Sequence, residues 1–202
     1  MRYSWLILIL VCVVFFILQL IIPGFTDSLV LNQQSWIQPW RFVTSIFLHG
    51  SLSHLLFNMF ALFLFGLILE SIISTRKFLL VFFLSGIIAN LVAVNFYDSS
   101  LGASGAIYGI LGTLTILRPR MTVWVYSLPM PMFIAALVWI GLGIFGIFNP
   151  SGVGDIAHIS GIAVGFIFGL FFYSKFRERK EIRYKTRIPE REMRNWEDRY
   201  LN

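Results

Sequence analysis

The chain has a single cysteine, Cys12, among its 202 residues, so no internal disulfide can brace it. That thiol lies in an apolar run, where it acts as a small hydrophobe and tells nothing of redox compartment. Charge is scarce as well: 13% of residues are Asp, Glu, Lys or Arg, about half the share of a soluble domain. With 57% hydrophobic residues and a mean hydropathy of +0.79, the composition excludes an ordinary soluble core and indicates one integral membrane domain. Only three histidines are present, His49, His54 and His158, with no acid cluster beside them, which argues against zinc. No metal or organic cofactor is expected. No internal repeat and no relay of carboxylates runs through the apolar segments, which disfavours a transporter or channel.

The net charge of +6 would suggest a nucleic-acid partner were it spread over the chain. It is not. Residues 175–202 hold ten basic and six acidic residues, and the remainder carries six and four. Most of the excess is therefore a C-terminal tail, expected to be solvated in the cytosol near anionic lipid, and nucleic acid is excluded. The division reads as a membrane domain over 1–174 and a charged tail over 175–202.

Apolar runs cover Trp5–Ile22, Leu52–Ile73, Phe78–Phe96, Ala103–Leu117, Met130–Phe148 and Ile156–Tyr173. Each approaches the ~20 residues that cross a bilayer core, the fourth being visibly short. Six transmembrane helices are expected. The first is longer than a signal-peptide core and Ile21-Ile22-Pro23-Gly24-Phe25 is a poor cleavage site, so it is expected to remain. Arg2, Arg76-Lys77, Arg118-Pro119-Arg120 and the tail fall at alternating ends, opposite Asp27, Asp98 and Asp155, with Arg41 the one external cation. Positive-inside logic places both termini in the cytosol. The connection from Pro23 to Leu48 carries Phe25, Leu29, Trp36, Trp40, Phe42 and Phe47, and is expected to lie half-sunk in the outer leaflet.

Two polar side chains sit where apolar helices open on the external side. Ser104 lies within Gly102-Ala103-Ser104-Gly105, and His158 opens the sixth run. Counting about 1.5 Å per residue from the cytoplasmic boundaries puts both beneath the outer surface at similar heights, which implies a water-filled cavity there. His158, Gly161, Gly165 and Gly169 recur along one helical face, as do Gly105, Gly109 and Gly112 on the fourth helix. Small faces let membrane helices approach closely, which would bring hydroxyl and imidazole together as nucleophile and general base. On the second helix His54 and Asn58 are four apart, on one face, and suit an oxyanion site together with the backbone N–H of Ser104. Asp155 could orient His158, but a Ser–His dyad fits better, with Tyr108 packing against the imidazole. His49 reads as structural, and Glu70, Asn90 and Asn95 as interhelical hydrogen-bonding groups.

Those same motifs resemble the rhomboid intramembrane serine proteases: Gly102-Ala103-Ser104-Gly105 with Tyr108 and Gly109, Ala157-His158-Ile-Ser-Gly161 with Gly165, His54-Leu-Leu-Phe-Asn58, and Trp40-Arg41. The resemblance covers roughly residues 36–174. It implies a six-helix rhomboid-like bundle with Trp40-Arg41 in a membrane-embedded first external loop. It implies Ser104 as nucleophile, His158 as base, and His54, Asn58 and the Ser104 N–H as the oxyanion hole. It further implies that the fifth helix and the segment Asn149 to Asp155 admit substrate sideways. The partners expected are transmembrane protein substrates and membrane lipid. The alternative reading is a catalytically silent relative that binds transmembrane clients.

Overall fold

Helix formation here follows from apolar runs that must satisfy their own backbone hydrogen bonds wherever no water reaches. The computed structural model describes residues 3–125, 127–148, 154–185, 194–195 and 199–200. In chain order these form α1 (Ser4–Ile21), α2 (Phe25–Leu29), β1 (Leu31–Asn32), α3 (Arg41–Thr44), α4 (Leu52–Ala61), α5 (Leu67–Ile73), α6 (Thr75–Ala93), β2 (Ser99–Ser100), α7 (Ser104–Leu117), β3 (Thr122–Val125), β4 (Leu128–Pro131), α8 (Met132–Phe148) and α9 (Asp155–Lys185). A π-helical turn, Leu62–Gly66, joins α4 to α5, so both make one apolar span. Among the described residues, four helical spans are long and apolar enough to cross a membrane, and α7 and α8 are shorter apolar helices. The protein is membrane-embedded. Arg2 and residues 149–153 and 186–193 lie outside the described residues.

At the centre stands α7, buried along nearly its whole length. Its 14 residues span about 21 Å, short of a ~30 Å core. Against it α9 packs backbone to backbone. A Cβ on Gly161 would fall on the carbonyl oxygen of Gly105, and one on Gly165 on that of Gly109. The Thr113 hydroxyl lies 2.9 Å from the Gly109 carbonyl and 3.0 Å from that of Gly165, so its one proton is shared across the seam. Beyond Tyr173, α9 continues without a break into the charged segment as far as Lys185.

On the opposite flank, fully buried Glu70 gathers three helices. Its carboxylate accepts from the Ser4 hydroxyl, from the Thr75 hydroxyl at 2.6 Å and from the Trp5 N–H at 3.4 Å. This bears out the reading of Glu70 as an interhelical group. A buried acceptor with several donors is far cheaper than one left alone.

The first connection is ordered. Arg41, read from sequence as an external cation, is buried at 4% exposure and donates to the carbonyls of Asp27 (2.7 Å) and Val30 (2.8 Å) and to the side chain of Gln38 (2.6 Å). The guanidinium holds this loop's shape by filling its carbonyl ring. Asn90 of α6 donates to the Phe42 carbonyl (2.9 Å) and lies 3.0 Å from the Ser45 hydroxyl, tying α3 to the bundle. Trp36, Ile37 and Trp40 stay exposed.

Two elements depart from the sequence expectation. The fifth run was expected to turn helical from Met130, but Leu128–Pro131 is a strand paired antiparallel with Thr122–Val125. Pro129 and Pro131 disfavour helix in the residues before them, and Val123, Trp124 and Val125 prefer a strand. The second departure is the small pair β1–β2, which links the first loop to the segment just before Gly102.

Candidate active site

Ser104 opens α7, with Ala103 as its N-cap residue, so the first N–H groups of that helix have no intrahelical acceptors. Gly102 makes this corner with φ +125°, a conformation that a Cβ would strain. His158 lies in the first turn of α9. The glycine seam sets the register, and the Ser104 hydroxyl oxygen comes 2.8 Å from the His158 Nε2. That is hydrogen-bond reach for proton transfer between a hydroxyl and an imidazole.

Tyr108, one turn below Ser104, stacks flat on His158, with ring centroids 4.3 Å apart and planes 5° from parallel. The stack fixes the imidazole plane. Tyr108 in turn meets the edge of Trp139 on α8 at 6.4 Å, a neighbour sequence reasoning missed. Asp155 does not serve His158: its carboxylate lies against Gly146 of α8, and among the described residues no carboxylate bonds the imidazole. Tyr97 ties the end of α6 to the start of α9, its hydroxyl accepting from the Ile156 N–H at 3.1 Å.

A cavity of about 830 Å³ opens over the pair, lined by His54, Asn58, Gly102, Ser104, Tyr108 and His158 among others. Asn58 is buried and donates one amide hydrogen to the His54 carbonyl at 2.9 Å, leaving the second free for a ligand. The His54 ring abuts Gly102, where a Cβ would lie 2.9 Å from its Nε2 and 3.9 Å from the Ser104 hydroxyl. Of the expected site residues, Ser104, His158, His54, Asn58, Tyr108, Gly102 and Gly105 share this cavity. Gly161 and Gly165 act beneath it through the helix seam. Trp40 and Arg41 belong to the loop instead. No group of three or more His, Cys, Asp or Glu suited to a metal occurs among the described residues.

A serine at a helix N-terminus, an imidazole in contact and further N–H donors around one cavity are the kinds of group that acyl-transfer chemistry uses. Residues 37–175 match the family model described as the Rhomboid domain. The rhomboid protease GlpG of Haemophilus influenzae is 31% identical over 181 residues, covering 86% of this chain and 92% of that protein. The rhomboid protease GlpG of Yersinia pseudotuberculosis is 29% identical over 137 residues, which are 67% of this chain but 49% of that protein's length. The chain belongs to the rhomboid family and is a serine protease of that family.

Proposed function

We propose that the protein hydrolyses a peptide bond in or beside the transmembrane segment of another membrane protein, using Ser104 and His158 as a catalytic dyad. The observation that carries this reading is the 2.8 Å approach of the Ser104 hydroxyl to His158 Nε2 beneath an open cavity. His158 takes the hydroxyl proton as the Ser104 oxygen attacks the scissile carbonyl carbon. The charge that develops on the carbonyl oxygen meets the backbone N–H of Ser104, the free amide hydrogen of Asn58 and His54 Nε2. His158 then returns the proton to the leaving nitrogen, the C–N bond breaks, and an ester to Ser104 remains. Water admitted through the cavity gives a proton to His158 as its oxygen attacks the ester carbon; the bond to Ser104 then breaks and His158 returns the proton to the serine oxygen.

A transmembrane helix hides its carbonyls in its own hydrogen bonds, so a substrate must unwind locally. Helix-weakening residues such as Gly near the cut are therefore favoured, with a small side chain at the cut itself as the family resemblance implies. The basic residues at alternating ends support both termini in the cytosol and a site opening to the external side of the cell membrane. Residues 1–174 would then form the membrane domain and 175–202 a cytoplasmic tail. The proposed lateral entry involves α8 and the segment from Asn149, of which residues 149–153 lie outside the described residues.

A fluorophosphonate probe on the reconstituted protein tests the reading. Wild type labels and cleaves a transmembrane substrate, while Ser104→Ala and His158→Ala keep the fold and lose both activities. Turnover retained by Ser104→Ala would refute the dyad. A folded wild type that neither labels nor cleaves but binds transmembrane segments would favour the silent client-binding alternative.

A further inference from the structure

Gln19 stands in the last turn of α1, amid otherwise apolar neighbours and outside the region matched by the family. Its side chain grips the backbone of His49, thirty residues away. The His49 N–H donates to Gln19 Oε1 at 2.9 Å, and Gln19 Nε2 donates to the His49 carbonyl at 3.2 Å. The second hydrogen on Nε2 goes to the Thr26 hydroxyl at 3.0 Å, so the amide is fully engaged. Two bonds to one residue's backbone fix its direction as a strand partner would. The following residue, Gly50, inherits that direction.

His49 itself is 1% exposed. Its Nδ1 lies 3.2 Å from the Phe47 carbonyl, which only accepts, so Nδ1 carries the proton and Nε2 is a bare lone pair. That Nε2 is buried with no hydrogen-bond partner. Burial, and then the neighbouring His54, pushes the His49 pKa down to about 4, so the ring is neutral at ordinary pH. Its neighbour is the His54 ring, edge to face at 5.1 Å.

His54 is thus held on three sides. The His49 ring stands behind it. In front is Gly102, with its own N–H donating to the Ser45 carbonyl at 2.9 Å. The Gly50 N–H points at His54 Nδ1 from 3.5 Å. A donor aimed at Nδ1 makes that nitrogen the acceptor and leaves the ring proton on Nε2, the nitrogen nearest Gly102 and Ser104. Only that tautomer can donate to a developing oxyanion.

We infer that Gln19 and His49 are positioning residues, which hold His54 in the rotamer and the Nε2–H tautomer that the oxyanion site needs. The inference rests on the proposed role of His54 as oxyanion donor. It turns a residue read as structural from sequence into part of the apparatus, and it recruits α1, which supplies no group to the cavity.

The test is a pair of double-mutant cycles on the full reconstituted chain. Gln19→Leu keeps the shape of the side chain and deletes its bonds. It should lower kcat about tenfold at unchanged KM, a fraction of the roughly 10²-fold that losing an oxyanion donor costs. His49→Asn keeps a donor for the Phe47 carbonyl and removes the ring, and should lower kcat similarly. In a His54→Ala background each substitution should change kcat less than twofold. An equal loss with and without His54, or full activity of both variants, would overturn the inference, since a merely structural role is indifferent to His54. Should either variant fail to fold, ¹⁵N-imidazole NMR of the wild type decides: His54 protonated at Nε2 supports the inference, and a proton on Nδ1 ends it. Failure of the hydrolase reading shows separately, as a wild type that does not label at Ser104.

Discussion

The face that α9 turns to α7 and the face it turns to α8 are built on opposite rules. Toward α7, added carbons at Gly161 and Gly165 would strike backbone oxygens that cannot move without the whole helix. Toward α8, a carbon on Gly143 would first meet the Ile159 side chain, at 3.1 Å, and one on Gly146 would fall on the Asp155 carboxylate, while Gly141 faces outward with nothing within 4 Å. Phe145 and Phe148 on α8 are 65% and 79% exposed. Glycine thus meets backbone on one side and side chains on the other. The lesson is one of division: Ser104 and His158 ride on the contact with no give, while the wall facing them is held by side chains that can adjust. The proposed mechanism, with a dyad kept aligned while a substrate helix enters from lipid, needs both.

Gly161→Ala attacks that contrast most directly. The new carbon collides with the Gly105 carbonyl, so the helices must part, at a cost of about 3 kcal/mol for overpacking. A shift of about 1 Å at the dyad should lower cleavage at least 10²-fold. Denaturant midpoints and cleavage rates measured together check this, and wild-type behaviour would show the seam is looser than described. Asn58→Ala should reach about 10²-fold in kcat with no loss of stability, because it removes one donor and leaves the seam intact. An equal fall in denaturant midpoint would instead make Asn58 a packing residue.

Acid probes a third region, and His49→Asn isolates its part. The His49 pKa is lowered from 6.5 to about 4, so the folded protein resists a proton that the unfolded chain takes up near 6.5. The stability this neutral ring confers is fully present above about pH 6.5 and declines as pH falls toward about 4. Between pH 7.5 and 5.5 the decline should be about 1 kcal/mol, and His49→Asn should lack that part of the slope. Identical slopes in the two proteins would show that His49 meets water. The smallest effect belongs to Gly141→Ala, which should stabilise α8 by under about 1 kcal/mol through helix propensity and leave cleavage unchanged. A large effect there would mean that α8 is as tightly seated as α9.

Much of this was legible in the chain. Ser104 was placed at a helix start, and α7 begins there. The glycine spacing pointed to the two faces that do pack, and Tyr108 was expected on the imidazole it stacks against. Other features left weaker traces. Val123-Trp124-Val125 before Pro129-Met130-Pro131 carried a strand signal, and the apolar run Met130–Phe148 took the last two residues of that hairpin into a helix. Gln19 was visible as a polar residue in an apolar run, yet nothing local tells a hydrogen-bonding amide which distant backbone it will meet. Arg41 was counted as a loop charge, because burial of a guanidinium depends on carbonyls from Asp27 and Val30 converging on it. The π turn at Leu62–Gly66 had no signal at all in a run of uniformly apolar residues.

Composition and spacing alone determined that this chain enters a membrane, that a helix opens at Ser104, and which faces are bare enough for close approach. These are local matters, settled by the solubility of side chains and by a 3.6-residue period. Only the tertiary structure decided that the hydroxyl of residue 104 would meet the imidazole of residue 158, and that Asp155 would turn away toward α8. Bare faces permit contact without choosing a partner or a register. The choice comes from backbone wedged against backbone, which exists only once both helices are in place.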